Sequence, residues 1–195
     1  EINASRKLMD AAQKSRAIVF GSLAQRSTES RKTIRRLWQT EAQKVFDVNL
    51  RPPFDDQDMV LESLKYSNIV KLNDDELKLL AEWFNLPHGE EQAARGLAKE
   101  FDCHTICVTR GANGAALLHE DNWTEVPGIS IRVVGVVGAG AAFLAGLLSS
   151  LLQERTPRDS LCYANALGAY VASQSGATPS HDPETIKALE MCEEK

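Results

Sequence analysis

Four short stretches of this chain carry groups suited to gripping phosphate oxygens. Asn49 and Arg51 follow an apolar run, and arginine offers a planar donor fork that matches phosphate. Asn73 and Glu76 form an N-x-x-E pair whose oxygens suit hydrated magnesium. Thr109 to Gly114 reads TRGANG, where Gly111 and Gly114 let backbone approach a ligand closely. Gly138, Ala139 and Gly140 open an apolar helix, so unpaired N–H groups there face outward at the positive end of the helix dipole. Between Val133 and Leu148 there is no carboxylate, His, Lys, Ser or Thr, so that turn can hold an oxyanion and supplies no acid or base. Each stretch also has a plain structural reading. Asn49 and Arg51 close a turn before Pro52-Pro53, Asn73 and Glu76 match a capping box, and Thr109–Gly114 is a hairpin turn.

The elements that would position these groups alternate. Strands are expected at Ala17–Ser22, Lys44–Asn49, Asn68–Leu72, Thr105–Thr109, Ala115–His119 and in the apolar run from Ile131 to Val137. Helices are expected at Ile2–Lys14, Glu29–Gln43, Asp58–Tyr66, Asp74–Phe84, Glu90–Phe101, Ala142–Gln153, Arg158–Ser173 and Pro183–Glu194, with Asn73 as an N-cap. Apolar strands alternating with helices predict an α/β fold in three layers: a mostly parallel sheet with helices on both faces. Ligands in such sheets bind at the carboxyl ends of strands, where all four stretches fall.

The 195 residues suggest one domain with a real core. A net charge of −5 argues against general nucleic-acid affinity. The basic run Arg31, Lys32, Arg35, Arg36 reads as the wet face of an amphipathic helix. Cys103 and Cys107 flank a strand-like run, about 13 Å apart if extended, too far to bridge. With Cys162 and Cys192 they form no C-x-x-C pair, so free thiols and a reducing cytoplasm are the expectation. His88, His104, His119 and His181 show no metal spacing. No signal peptide and no membrane-spanning run is expected.

Taken in order, FDVNLRPP (46–53), KLNDDEL (71–77), VTRGANGAAL (108–117), VGAGAAFLAGLL (137–148) and ANALGAYVASQSGATPS (164–180) resemble the ribokinase-like, or PfkB, carbohydrate kinases, and FGSLAQRS (20–27) resembles the fructokinases among them. The resemblance implies a single ribokinase-like domain over 1–195, equivalent to the C-terminal two thirds of the family fold. It implies transfer of the ATP γ-phosphate to a sugar hydroxyl. Asn73 and Glu76 would organise magnesium. Thr109, Gly111, Gly114, Gly140 and Asn165 would line the nucleotide, and Asn49 and Arg51 would lie near the sugar and the transferring phosphate. Gly138, Ala139 and Gly140 would form the anion hole. A potassium-type site would fall at Gly135, Val137, Val171, Gln174, Gly176 and Ser180. ATP and a small sugar would be the partners, with neither nucleic acid nor membrane, and a homodimer is possible within the family.

The chain departs from the pattern twice. The family's Asp-Thr-x-Gly-Ala-Gly-Asp stands here as Gly135-Val-Val-Gly-Ala-Gly-Ala141. Ala141 occupies the place of the catalytic base, and Gly135 removes a cation ligand. The family also carries further strands and much of the sugar pocket before the point where this chain opens. These departures favour an impaired kinase or, alternatively, a non-catalytic module that binds nucleotide or sugar. A dinucleotide-binding oxidoreductase fits poorly, because Phe143 stands where a third glycine is needed and no acidic residue ends a strand about 20 residues on.

Overall fold

Strand and helix follow one another through the computed structural model, which describes residues 1–53 and 56–190. The strands are β1 (Ala17–Gly21), β2 (Gln43–Asp47), β3 (Ile69–Asn73), β4 (Thr105–Thr109), β5 (Ala115–His119) and β6 (Asn122–Val126). The helices are α1 (Arg6–Lys14), α2 (Thr28–Leu37), α3 (Gln57–Lys65), α4 (Asp74–Phe84), α5 (Glu90–Phe101), α6 (Ala139–Leu152), α7 (Pro157–Ser173) and α8 (Pro183–Leu189). The sheet order is β1-β2-β3-β4-β5-β6, flanked by helices in a three-layer α/β fold. The sheet is mixed. β1, β2 and β3 are parallel, with Phe20 beside Phe46 and Asp47 beside Lys71. The N–H of Arg110 meets Gly114 O and that of Glu120 meets His104 O, which is antiparallel pairing of β4 and β5. Glu120 and Asp121, both at positive φ, then close the β5–β6 hairpin as a primed two-residue turn.

The chain divides into two compact units: residues 1–108 with 118–121, and residues 109–117 with 122–195. In the first, Val45, Phe46, Leu64, Leu72, Leu80, Leu97 and Ile106 are fully buried, and Phe20 stacks on Phe46 at 5.3 Å. In the second, α6 and α7 pack at close range. A Cβ on Gly146 would lie 3.1 Å from Ala164 Cα, and one on Gly168 would lie 3.3 Å from Ala139 O. Small residues let these two helices approach backbone to backbone.

Three sequence expectations fail. The apolar run 131–137 is not a strand. Its backbone is irregular, with the N–H groups of Val134 and Gly135 bound to Ala172 O at the end of α7. Val133, Val134, Val136 and Val137 are 57–74% exposed. A β-branched run reads as a buried strand, yet this one bonds a helix end. The polar strand β6 was not expected, because its alternation is weak and its turn residues, Glu120-Asp121, lack a glycine. Cys162 is disulfide-bonded, against the expectation of free thiols. Cys103 and Cys107 are free and buried, and burial pushes both thiols up to about 12. Cys192 and the expected helical turn beyond Glu190 lie outside the described residues. Smaller differences are that α1 starts at Arg6 and α2 spans Thr28–Leu37, and that α6 starts at Ala139, so only Gly138 forms the turn. No helix among the described residues is long and apolar enough to cross a membrane.

A buried hydroxyl links the start of β4 to the end of β5. Thr105 Oγ1 lies 2.9 Å from His104 Nδ1 and 2.8 Å from His119 Nδ1, and Thr105 is fully buried. One hydroxyl proton serves only one imidazole, so the other must donate to the oxygen. A second proton on the pair leaves the hydroxyl without an acceptor. Burial, then the neighbouring His119, holds His104 below its ordinary value of 6.5, while Glu120 and Asp102 oppose this. The unfolded chain therefore takes up the proton first. The stability this pair contributes is present above pH 6.5 and is lost as pH falls through the folded value. Melting temperature is expected to drop between about pH 7.5 and pH 5.5, and His104→Gln is expected to flatten that drop. An unchanged pH profile in the variant would refute the assignment.

Candidate functional site

In the first unit the exits of β2 and β3 are tied by one buried carboxylate. Asn73 caps α4: its side-chain oxygen accepts from Glu76 N at 2.7 Å, and Glu76 Oε2 accepts from Asn73 N at 2.9 Å. Glu76 Oε1 accepts from Leu50 N at 2.7 Å. Asn49, at φ 39°, is the left-handed residue that turns the chain before that amide. Burial pushes the Glu76 carboxyl above its ordinary value, opposed by the two backbone N–H groups and by Lys71. Lys71 itself is buried and holds Asp47 at 2.9 Å, an ion pair across β2 and β3 that sequence reading missed. Arg51 donates to Leu50 O at 2.7 Å and is exposed.

The expected magnesium pair is thus a completed capping box. Both Glu76 oxygens already accept backbone N–H groups, and among the described residues no three His, Cys, Asp or Glu side chains gather for a metal ion. Each Glu76 oxygen keeps a further lone pair beside its N–H partner, which is what a water-mediated magnesium contact would use. Some of the expected monovalent-cation positions also carry hydrogen bonds of their own. Ser180 O accepts from the Tyr170 hydroxyl, Val171 O accepts from Gln174 N, Val137 is exposed, and Gly135 and Gly176 stand in open space.

In the second unit a cavity of about 580 Å³ gathers Thr109, Gly111, Gly114, Ala139, Gly140 and Asn165. Backbone builds one wall. A Cβ on Gly114 would lie 2.1 Å from Val126 O, and one on Gly128 would lie 1.8 Å from Ala112 O, so the two turns touch through bare peptide. Gly128 was missed in the sequence, although the Pro127-Gly128 pair is a turn signal. At the opposite wall α6 begins. Gly138 sits at φ 90°, and a Cβ there would lie 2.4 Å from Ala177 O. The Ala139 N–H reaches Val136 O at 3.3 Å, whereas Gly140 and Ala141, in the first turn, have no carbonyl four residues back within the helix. Their amides meet the helix dipole's positive end, a site for anionic oxygen. Ala141 is exposed at the third position of that turn. Among the described residues the wall has no charged side chain, and its polar ones are Thr109, Ser130 and Asn165. Its size and apolar, peptide-rich lining suit a small organic group, with room for an anion at the start of α6.

Several known proteins share sequence and fold with this chain. The family model for pfkB family carbohydrate kinases matches residues 2–184, across both units. A fructokinase of Salmonella thompson is 30% identical over 143 residues, covering 68% of this chain and 63% of that protein. The crystal structure of fructokinase from Vibrio cholerae O395, with fructose, ADP and calcium ion bound, superposes with a TM-score of 0.77 at 25% identity, over 91% of this chain and 61% of that one. Aminoimidazole riboside kinase from Salmonella enterica, complexed with aminoimidazole riboside and an ATP analog, gives a TM-score of 0.68 at 25% identity, over 88% of this chain and 61% of that one. The chain therefore spans less than two thirds of the length of each of these three proteins, and under half of several other curated relatives.

Proposed function

The chain belongs to the pfkB family of carbohydrate kinases, and from that premise we propose that its cavity between the Thr109–Gly114 turn and the start of α6 binds ATP. We further propose that the activity it derives from is transfer of the γ-phosphate to a sugar hydroxyl, fructokinase-like, in one ribokinase-like domain. One observation supports this reading: Thr109, Gly111, Gly114, Gly140 and Asn165, far apart in sequence, line a single cavity.

In this reading the glycine turns admit the nucleoside against bare peptide. The Gly140 and Ala141 amides take up negative charge on phosphate oxygens as it develops, which is the largest contribution a phosphoryl-transfer site makes. The guanidinium of Arg51, exposed beyond β2, gives one N–H to Leu50 O and keeps its other donors for an anion. What the chain lacks is a proton acceptor at Ala141. The attacking hydroxyl must then lose its proton to solvent or to the phosphate, which lowers the rate and does not abolish the site. Ala141 and Gly135 also support a second reading, a non-catalytic module that binds nucleotide or sugar.

Thermal unfolding with increasing ATP, with and without magnesium, tests the binding step. A ligand at a hundred times its Kd stabilises the folded state by about 2.7 kcal/mol. A melting temperature that rises with ATP is expected. No rise at any magnesium level would overturn the assignment. ADP release with a panel of hexoses, pentoses and nucleosides then separates the two readings: sugar-dependent turnover favours the kinase, and binding without turnover the module.

A further inference from the structure

A second cavity, of about 400 Å³, lies wholly in the first unit and shares no residue with the cavity described above. Arg26, Arg31, Lys32 and Arg35 line it, against one acid, Asp56. Sequence reading places Arg31, Lys32 and Arg35 on a wet helix face, yet the Arg31 side chain is only 24% exposed. Carboxylates are scarce around these cations. Arg31 and Arg35 both reach one oxygen of Glu62, at 3.0 and 2.6 Å, Arg31 also stands 3.6 Å from Asp56, and Lys32 meets Glu29 at 2.8 Å. The guanidinium of Arg26 meets no carboxylate among the described residues, so four cations stand against three acids.

Two buried polar atoms of lining residues have no partner among the described residues: Arg31 Nε, a donor, and Gln25 Oε1, an acceptor. Gln25 is 4% exposed and its amide is fixed in sense. Its Nε2 donates to Ser63 Oγ at 2.9 Å, and the Ser63 hydroxyl gives its own proton to Met59 O at 2.8 Å. Native structures leave few such atoms unmet, because each costs free energy. A third opening lies at the start of α2. Ser27, its N-cap, makes no side-chain cap bond and instead reaches Glu1 at 3.4 Å, so the first-turn amides beginning at Thr28, a lining residue, lack a capping side chain. By contrast, α3 is capped by Asp56, whose Oδ1 accepts from Met59 N at 3.1 Å.

From these three observations we propose that this cavity is a binding site for a small phosphorylated polyol. The phosphate takes the donors of Arg26, Arg31 Nε and the start of α2, where planar guanidinium groups and the helix dipole favour a doubly charged anion. A hydroxyl of the carbon skeleton donates to Gln25 Oε1. Inorganic phosphate brings no hydroxylated skeleton for Gln25, and a neutral sugar brings no charge for the cations, so neither half matches the site as the ester does. The volume suits a molecule of sugar size rather than a single ion. None of these residues lines the nucleotide cavity, so the site stands or falls apart from ATP binding.

Isothermal titration calorimetry of the chain without ATP tests this, using glucose 6-phosphate, fructose 6-phosphate and ribose 5-phosphate, with fructose and inorganic phosphate as controls. At least one ester is expected to bind roughly tenfold tighter than either control, and to weaken as salt rises. Arg26 is exposed, so Arg26→Gln leaves the core intact, and it is expected to weaken that ester by about tenfold. Gln25→Met is expected to weaken the ester and leave inorganic phosphate unchanged. Binding of no ester overturns the proposal, as does inorganic phosphate binding as tightly as every ester. An ester that binds the unmodified chain and Arg26→Gln alike sits elsewhere, and that result also overturns it. Should Gln25→Met fail to fold, Arg26→Gln combined with Lys32→Gln, both at exposed positions, is expected to weaken the ester further than Arg26→Gln alone, and an unaltered affinity there overturns the proposal.

Discussion

Ala141→Asp is expected to raise sugar-dependent ADP formation by about 10²–10⁴-fold, the range a positioned general base contributes. The geometry favours the substitution. Ala141 is exposed on the first turn of α6, beside amides without helical partners, so a carboxylate there needs no repacking. It also meets the positive end of the helix dipole, which stabilises the fold by about 0.3–1 kcal/mol. Two effects are therefore entangled, and Ala141→Asn separates them. The amide is close to the carboxylate in shape and cannot accept the proton. Ala141→Asp accelerating turnover while Ala141→Asn does not would identify a missing base. A higher melting temperature with no gain in rate would show that position 141 is not what limits this chain.

Gly114→Ala is expected to destabilise the protein by about 2–6 kcal/mol and to abolish nucleotide binding. Gly114 sits at φ 94°, where a side chain is strained, and the added carbon would meet Val126 O at 2.1 Å, Pro127 C at 2.5 Å and Gly128 N at 2.6 Å. All three are backbone atoms, so no rotamer change relieves the clash. Gly111 is the natural control. It also has positive φ, at 56°, but a Cβ added there would have nothing within 4 Å. Gly111→Ala should cost only the left-handed strain, about 1–2 kcal/mol. Urea unfolding of both variants measures the difference. Equal costs would mean that the wall of the cavity yields where it is drawn tight.

How much of this was readable from the residues depended on distance along the chain. The Asn73–Glu76 capping box was legible because its partners are three residues apart and its signature is local. The third partner was not: Leu50 N–H reaches Glu76 across 26 residues, and it turns a helix cap into a brace between two strand exits. The same holds for Asn165. The family resemblance implied a binding role for it, but the direction of its amide depends on Pro127, 38 residues away. The glycines were visible as turns, while the contact of Gly128 with Ala112 O needs two turns folded onto each other. The run 131–137 misled for the opposite reason. Valines in series carry a strong local preference for strand, and nothing in their spacing reveals that the end of α7 captures the backbone first.

That valine segment sets the terms on which the protein can be handled. Four exposed branched side chains on irregular backbone form a short, uncharged, β-prone stretch, the composition from which intermolecular sheets start. Arg132, exposed at its head, is the one charge placed to discourage such pairing. The colloidal lifetime of the chain should then shorten with protein concentration and with salt that screens Arg132, independently of how stable the fold is.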